Sequence, residues 1–144
     1  MILLEKIKAI YQRDRFATKM TGVELIDVGN NYAKTKLAIT PDHRNAVGNV
    51  MGGAIFTVAD FAFAVASNIG APETISTDSH IVFMNAAKGD TLYAEAECLK
   101  AGRRTCTFCI HVTDNLGINV AQMTMMGMRV SDKYIIDPAE CHFD

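Results

Sequence analysis

The stretch Gly52-Gly53-Ala54-Ile55-Phe56-Thr57-Val58-Ala59-Asp60-Phe61-Ala62-Phe63-Ala64-Val65-Ala66-Ser67-Asn68-Ile69 decides the fold. From about Gly53 to Ile69 it reads as a helix that is apolar nearly all round. A helix of that kind is enclosed by protein rather than laid on a surface. Gly70-Ala71-Pro72 then supplies a stop signal. The stretch is short for a membrane span, which needs ~20 apolar residues, and it carries Asp60 in its middle.

Upstream, Gly22–Val28 and Tyr32–Ile39 are alternating runs joined by Gly29-Asn30-Asn31, a hairpin signal. Pro41 ends the second run, and residues 41–52 read as a loop. Leu3, Leu4, Ile7, Ile10 and Tyr11 have the spacing of an amphipathic helix, expected over residues 1–18. Downstream, four strands are expected: Thr74–Met84, Thr91–Lys100, Arg104–Asp114 and Ile118–Val130, followed by a tail over 131–144. The turns between them are Lys88-Gly89-Asp90, Ala101-Gly102 and Asn115-Leu116-Gly117, which predicts an antiparallel meander. One enclosed helix and one long antiparallel sheet make an α+β fold in which the sheet curls around the helix. The helix's far side then needs a cover, and in so short a chain a second copy is the expected one.

The 144 residues suit a single domain, and they are 49% apolar and 21% charged with a net charge of -2. No run of Lys and Arg points to nucleic acid or to an anionic membrane. Glu5, Lys6 and Lys8 break up the apolar residues at the start, so no signal-peptide core is expected there. Cys98, Cys106, Cys109 and Cys141 are expected as reduced thiols in a cytoplasmic protein.

Two features call for a physical reason. Gly52-Gly53 stands at the helix entrance, where the first N–H groups have no internal partner and face the positive end of the helix dipole. They suit a developing oxyanion; a tight turn without chemistry is the plainer reading. Asp60 is a carboxylate among apolar neighbours, with Phe56, Thr57, Phe63 and Ala64 at the positions where an ion-pair partner would stand. Either a neighbouring element satisfies it, or it is a reactive carboxylate in a cleft. At a rise of about 1.5 Å per residue, Asp60 and Gly52 lie ~12 Å apart along the axis. One chain cannot bring both to one carbonyl. Two antiparallel copies of the helix can, and a two-fold interface makes two such sites.

The remaining candidates carry less. Cys106 and Cys109 have metal-like spacing, but residues three apart on a strand point to opposite faces. His43, His80, His111 and His142 are dispersed and read as ordinary surface or sheet residues. Met123, Met125, Met126 and Met128 sit on both faces of the last strand, where packing is the plainer role; Met and Thr facing outward there suit a second interface, hence a tetramer.

The run Asn45-x-x-Gly48-x-x-Met51-Gly52-Gly53-x-Ile55-Phe56-Thr57-x-Ala59-Asp60, with Ala64 and Asn68 beyond, resembles the hotdog-fold thioesterases of the phenylacetate-pathway (PaaI) type. The likeness continues through Ser76-Thr77, Ala87-x-Gly89-Asp90-x-Leu92-x-Ala94-Glu95-Ala96 and Gly102-Arg103-Arg104-Thr105, to Asp114-x-x-Gly117-x-x-Val120-Ala121. It implies hydrolysis of acyl-CoA thioesters without metal or cofactor. Asp60 matches the catalytic carboxylate, general base or nucleophile. Gly52 matches the residue whose N–H polarises the thioester carbonyl. Asn45 matches an Asn that orients the reacting groups, and Ser76 a hydroxyl position beside the water. Asn45 and Gly52 would come from one subunit, Asp60 and Ser76 from the other. The sequence departs from the pattern at Met51, where the family usually has His; a thioether is no proton shuttle. Gly53, Met51, Phe56 and Phe63 are expected to bind substrate, Phe56 and Phe63 as part of the acyl pocket. Arg103 and Arg104 suit the phosphates of coenzyme A, although an exposed turn is the plainer reading. The rival function is an acyl-CoA binder or sensor without turnover, which Met51 favours slightly.

Overall fold

The computed structural model describes residues 2–143. Helix α1 (Ile2–Tyr11) is followed by a π-helical turn, Phe16–Thr21. Then come β1 (Val23–Gly29), β2 (Tyr32–Ala38), helix α2 (Gly52–Asn68), β3 (Pro72–Phe83), β4 (Thr91–Ala101), β5 (Thr105–Asp114) and β6 (Asn119–Tyr134). The strands form one antiparallel sheet in the order β1-β2-β4-β5-β6-β3.

This order corrects the meander. Strands β4, β5 and β6 do follow one another, but β3 leaves α2 for the far edge and pairs with β6. Lys88-Gly89-Asp90 is therefore the end of a crossover rather than a hairpin turn. Two further corrections concern the ends. The N-terminal helix stops at Tyr11 and the chain then winds into a separate π-helical turn. The last strand runs into the expected tail, as far as Tyr134.

Small residues let the helix lie close against the sheet. Ala33 is opposite Ala96 and Thr35 opposite Ala94, all fully buried, and Val58, Ala59, Ala62 and Ala66 of α2 are buried too. Thr35 also donates its hydroxyl proton to the Val58 carbonyl at 2.7 Å. Beyond this seat, Phe63 meets Phe108 edge-on with ring centres 5.5 Å apart. The helix end is fastened by Asn68, whose side chain accepts from the Thr74 N–H at 2.8 Å and donates to the Ala64 carbonyl at 2.8 Å. Arg129 adds a cation at the negative end of the helix dipole, donating to the Ser67 carbonyl at 2.9 Å. Among the described residues, no helix is long and apolar enough to cross a membrane.

Candidate active site

Asp60 occupies the one stripe of α2 that its own protomer leaves partly open. Gly53, Ala54, Phe56, Thr57, Asp60 and Ala64 keep solvent contact, whereas Val58, Ala59, Phe61, Ala62 and Phe63 are buried. The helix is thus apolar all round in sequence and uncovered along one line in the protomer. Phe56 is on that line. Phe63, expected at the acyl group, is instead 2% exposed and packed into the core against Phe108.

No donor among the described residues bonds the Asp60 carboxylate. Burial pushes its carboxyl above the usual range, and the negative charge of Asp14 pushes it in the same direction. Asp14 comes from the turn after α1. That turn is held against α2 by Tyr11, which donates to the Ala64 carbonyl at 2.9 Å and meets the Phe61 ring edge-on. Asp14 carried no signal in the sequence, because only the docking of α1 brings it near the helix.

At the other end of the stripe the helix begins without a cap. Met51 is the N-cap residue and its side chain makes no capping bond. The Ala54 and Ile55 N–H groups both reach the Met51 carbonyl, while the Gly52 N–H has no partner among the described residues. Gly52 lies against the Phe83 ring, which stands 3.1 Å from where a Cβ on Gly52 would be. Around a Cβ on Gly53 the space is open. A cleft of about 370 Å³ here is lined by Asn45, Gly52, Ile55 and Phe83, among others. Asn45 shapes the loop: its Oδ1 accepts from the N–H groups of Val47 and Asn49, both at 3.1 Å. That orientation leaves its Nδ2 donor uncommitted.

Ser76 is exposed in the protomer. It stands opposite Gly127, whose Cβ would strike Phe63, so the register turns Ser76 toward the helix side of the sheet. The chain bulges at Thr77, just beyond it. Strand β3 runs back along α2, from Asn68 at its start to Gly52 at its end. Ser76 is two residues past Thr74, about 7 Å along the strand. Asp60 is about 12 Å along the helix from Asn68. Ser76 therefore lies beside the Asn68 half of α2, Asp60 at the helix midpoint, and Gly52, with Asn45, at the far end.

Arg103 and Arg104 are exposed in the β4–β5 turn. That turn lies at the opposite end of α2 from Gly52, beside the cleft formed by Ile69, Gly70 and Arg129. The four cysteines are free; Cys106 is buried and Cys109 lies outward, where its sulfur is 3.5 Å from His111 Nε2. Among the described residues, no three His, Cys, Asp or Glu side chains cluster as metal ligands.

His43 does more than its reading as an ordinary residue allows. Its Nδ1 accepts from the Thr40 N–H at 2.9 Å, so the proton is on Nε2, which donates to the Thr21 carbonyl at 2.6 Å. The signal was the Thr40-x-x-His43 spacing, which places a reciprocal cap on the short helical turn at residues 41–43.

Comparison with known proteins gives this arrangement its setting. The sequence profile of the thioesterase superfamily matches residues 47–120, from the loop before α2 through β3, β4 and β5. The acyl-coenzyme A thioesterase PaaI of Escherichia coli is 29% identical over 114 residues, 78% of this chain and 81% of that protein. Human acyl-coenzyme A thioesterase 13 is 27% identical over 116 residues, 78% of this chain and 82% of that one. The solved structure of the Escherichia coli PaaI protein superposes with a TM-score of 0.81 at 24% identity, covering 91% of this chain and 98% of that one. A helix wrapped by a six-stranded sheet and a matching profile over half of the sequence lead to one conclusion: the chain belongs to the thioesterase superfamily, as a hotdog-fold member of the PaaI type.

Proposed function

We propose that this protein hydrolyses acyl-coenzyme A thioesters at sites each built from two subunits. Asp60, with Ser76, would come from one subunit, and Gly52, with Asn45, from its partner. The observation that carries this reading is the pair of uncommitted groups on one helix. Among the described residues, the amide that begins α2 has no partner, and a carboxylate without a hydrogen-bond donor stands ~12 Å further along. A carbonyl must lie about 3 Å from each, so they serve one substrate only across two antiparallel helices.

The protomer offers surfaces for that assembly. The open stripe of α2 is one. Edge strand β3 is another: most of its residues are exposed, with Ile75 and Val82 among them. A long uncovered edge strand is a template for pairing with a second chain. The outward faces of β5 and β6 include Thr105, Thr107, Gln122, Thr124, Met126 and Met128, none of them charged. They suit a further association into a tetramer.

The thioester oxygen accepts from the Gly52 N–H, at the positive end of the helix dipole. Asp60 takes a proton from water as the water oxygen adds to the carbonyl carbon. The tetrahedral oxyanion then collapses, the C–S bond breaks, and the departing sulfur takes up the proton as the thiol. In the alternative route Asp60 adds directly, the thiolate leaves, and water opens the mixed anhydride. Each route consumes one water and yields one acid and one thiol. Asn45 Nδ2 is free to reach the substrate, the Ser76 hydroxyl stands near the water, and Phe56, Met51 and Gly53 flank the acyl group. Arg103 and Arg104 are assigned to the phosphates. The test is thiol release from a panel of acyl-coenzyme A thioesters by the wild type and by Asp60→Asn. Hydrolysis that survives in a folded Asp60→Asn variant contradicts the mechanism.

A further inference from the structure

Between Tyr11 and Thr21 the chain forms a strap along α2, fastened at both ends. One end is the Tyr11 hydroxyl on the Ala64 carbonyl, at 2.9 Å. The other is the Thr21 carbonyl, which accepts from His43 Nε2; the His43 carbonyl in turn accepts from the Met51 N–H at 2.8 Å. The fastenings are thus at Ala64 and, through His43, at Met51, about 20 Å apart along the helix axis. Asp60 lies between them. The strap therefore runs beside α2, close enough that the charge of its Asp14 acts on Asp60.

Its side chains are placed unusually. Phe16 is 70% exposed and Met20 is 74% exposed. They stand four residues apart in a π-helical turn whose wide pitch brings such positions to one side. Gly22, at φ +92°, then turns the chain sharply into β1. The protomer gains nothing from holding two large apolar groups in water on a segment fixed at both ends. A flat ring beside a flexible thioether makes an adaptable apolar surface.

We propose that this strap selects the acyl group, with Phe16 and Met20 forming the wall against which the acyl chain or ring lies. The proposal rests on the reading of Asp60 as the thioesterase carboxylate, and it adds a specificity element from outside the stretch that the superfamily profile matches. The apolar character of the wall points to the acyl part of the substrate rather than to its phosphates.

The experiment compares the wild type, Phe16→Leu and the double variant Phe16→Ala/Met20→Ala. Each is assayed for kcat/KM with acetyl-, hexanoyl- and benzoyl-coenzyme A, and its mass is measured by sedimentation. The double variant should lose about 10- to 100-fold with the hexanoyl and benzoyl thioesters and less than about threefold with acetyl. Phe16→Leu should fall between. An equal change across the three thioesters assigns the strap to the coenzyme A moiety and overturns the proposal. So does an unchanged ratio, or a loss of assembly in the double variant, which makes these residues subunit contacts. Wild-type protein that hydrolyses none of the three overturns the underlying reading as well. Hydrolysis of all three with unaltered preference overturns the strap alone.

Discussion

Two aspartates stand in poorly solvated places, and the protein treats them in opposite ways. Asp114 ends β5 and is 3% exposed. Its carboxylate accepts from four backbone N–H groups, those of Lys88, Gly89, Leu116 and Ile118, at 2.7 to 2.9 Å. Burial alone would raise its carboxyl, but these bonds outweigh it and hold the group below the usual carboxylate range. Among the described residues Asp60 has no such donors, and burial together with Asp14 holds it above that range. The first acid pins the crossover from β3 to the β5–β6 turn. The second lacks such donors within the protomer, which suits the proton-exchanging role proposed for it. Burial of an acid is therefore not a sign of function by itself; the supply of donors separates the two.

The largest expected effect breaks the comparison on the Asp60 side. Asp60→Asn should lower kcat/KM by about 100-fold or more. Its melting temperature should equal or exceed that of the wild type. The sign follows from linkage: a carboxyl raised by folding gives stability that is complete below the unfolded pKa and lost as pH rises through the folded one. At neutral pH the wild type bears that cost and the amide does not. Parallel assays and thermal melts check both halves.

Gly52 offers the next test. It is the first residue of α2, where proline is tolerated, and Met51 before it already has the extended backbone that a following proline requires. Gly52→Pro removes the N–H while keeping the helix and should cost about 100-fold in kcat. Gly52→Ala presses on the Phe83 ring but retains the N–H, and should lose far less. Equal losses would mean that crowding, not the amide, matters.

On the Asp114 side the effect is on folding. Asp114→Ala leaves four backbone donors without their acceptor and should cost roughly 2 kcal/mol or more, read by denaturant unfolding. The stability that Asp114 contributes is present above its unfolded pKa and lost as pH falls through the depressed folded value. Removing it should flatten the acid limb of the stability curve.

Smaller effects sharpen the picture. The acid limb of the kcat/KM profile should lie above the usual carboxylate range, and Asp14→Asn should move it down.

Much of this was legible in the sequence, for reasons that differ by residue. Helix α2 was found to within one residue because its composition and its stop signal are local. Asp60 stood out because a carboxylate among Phe and Ala is costly. The place of β3 was not legible: its pairing with β6 rests on contacts some fifty residues apart, such as Ser76 with Gly127. The π-helical strap has no period to find, and it is set by bonds from Tyr11 and His43 to distant carbonyls. The side of α2 that Phe63 takes is not legible, because a helix apolar all round gives no phase; only the packing on Phe108 does. Asp114 is visible as part of a motif, but two of its four donors, Lys88 and Gly89, come from a segment some 25 residues away.

Everything about the mechanism turns on whether one carboxylate works with another subunit's amide. Mixing two inactive variants, Asp60→Asn and Gly52→Pro, under conditions that exchange subunits tests this directly. Half of the dimers formed are then hybrids, and each hybrid holds one site with both groups intact. Thiol release should return to about a quarter of the wild-type rate. A mixture that stays as inactive as its components would mean that both groups act within one chain, or do not act together at all.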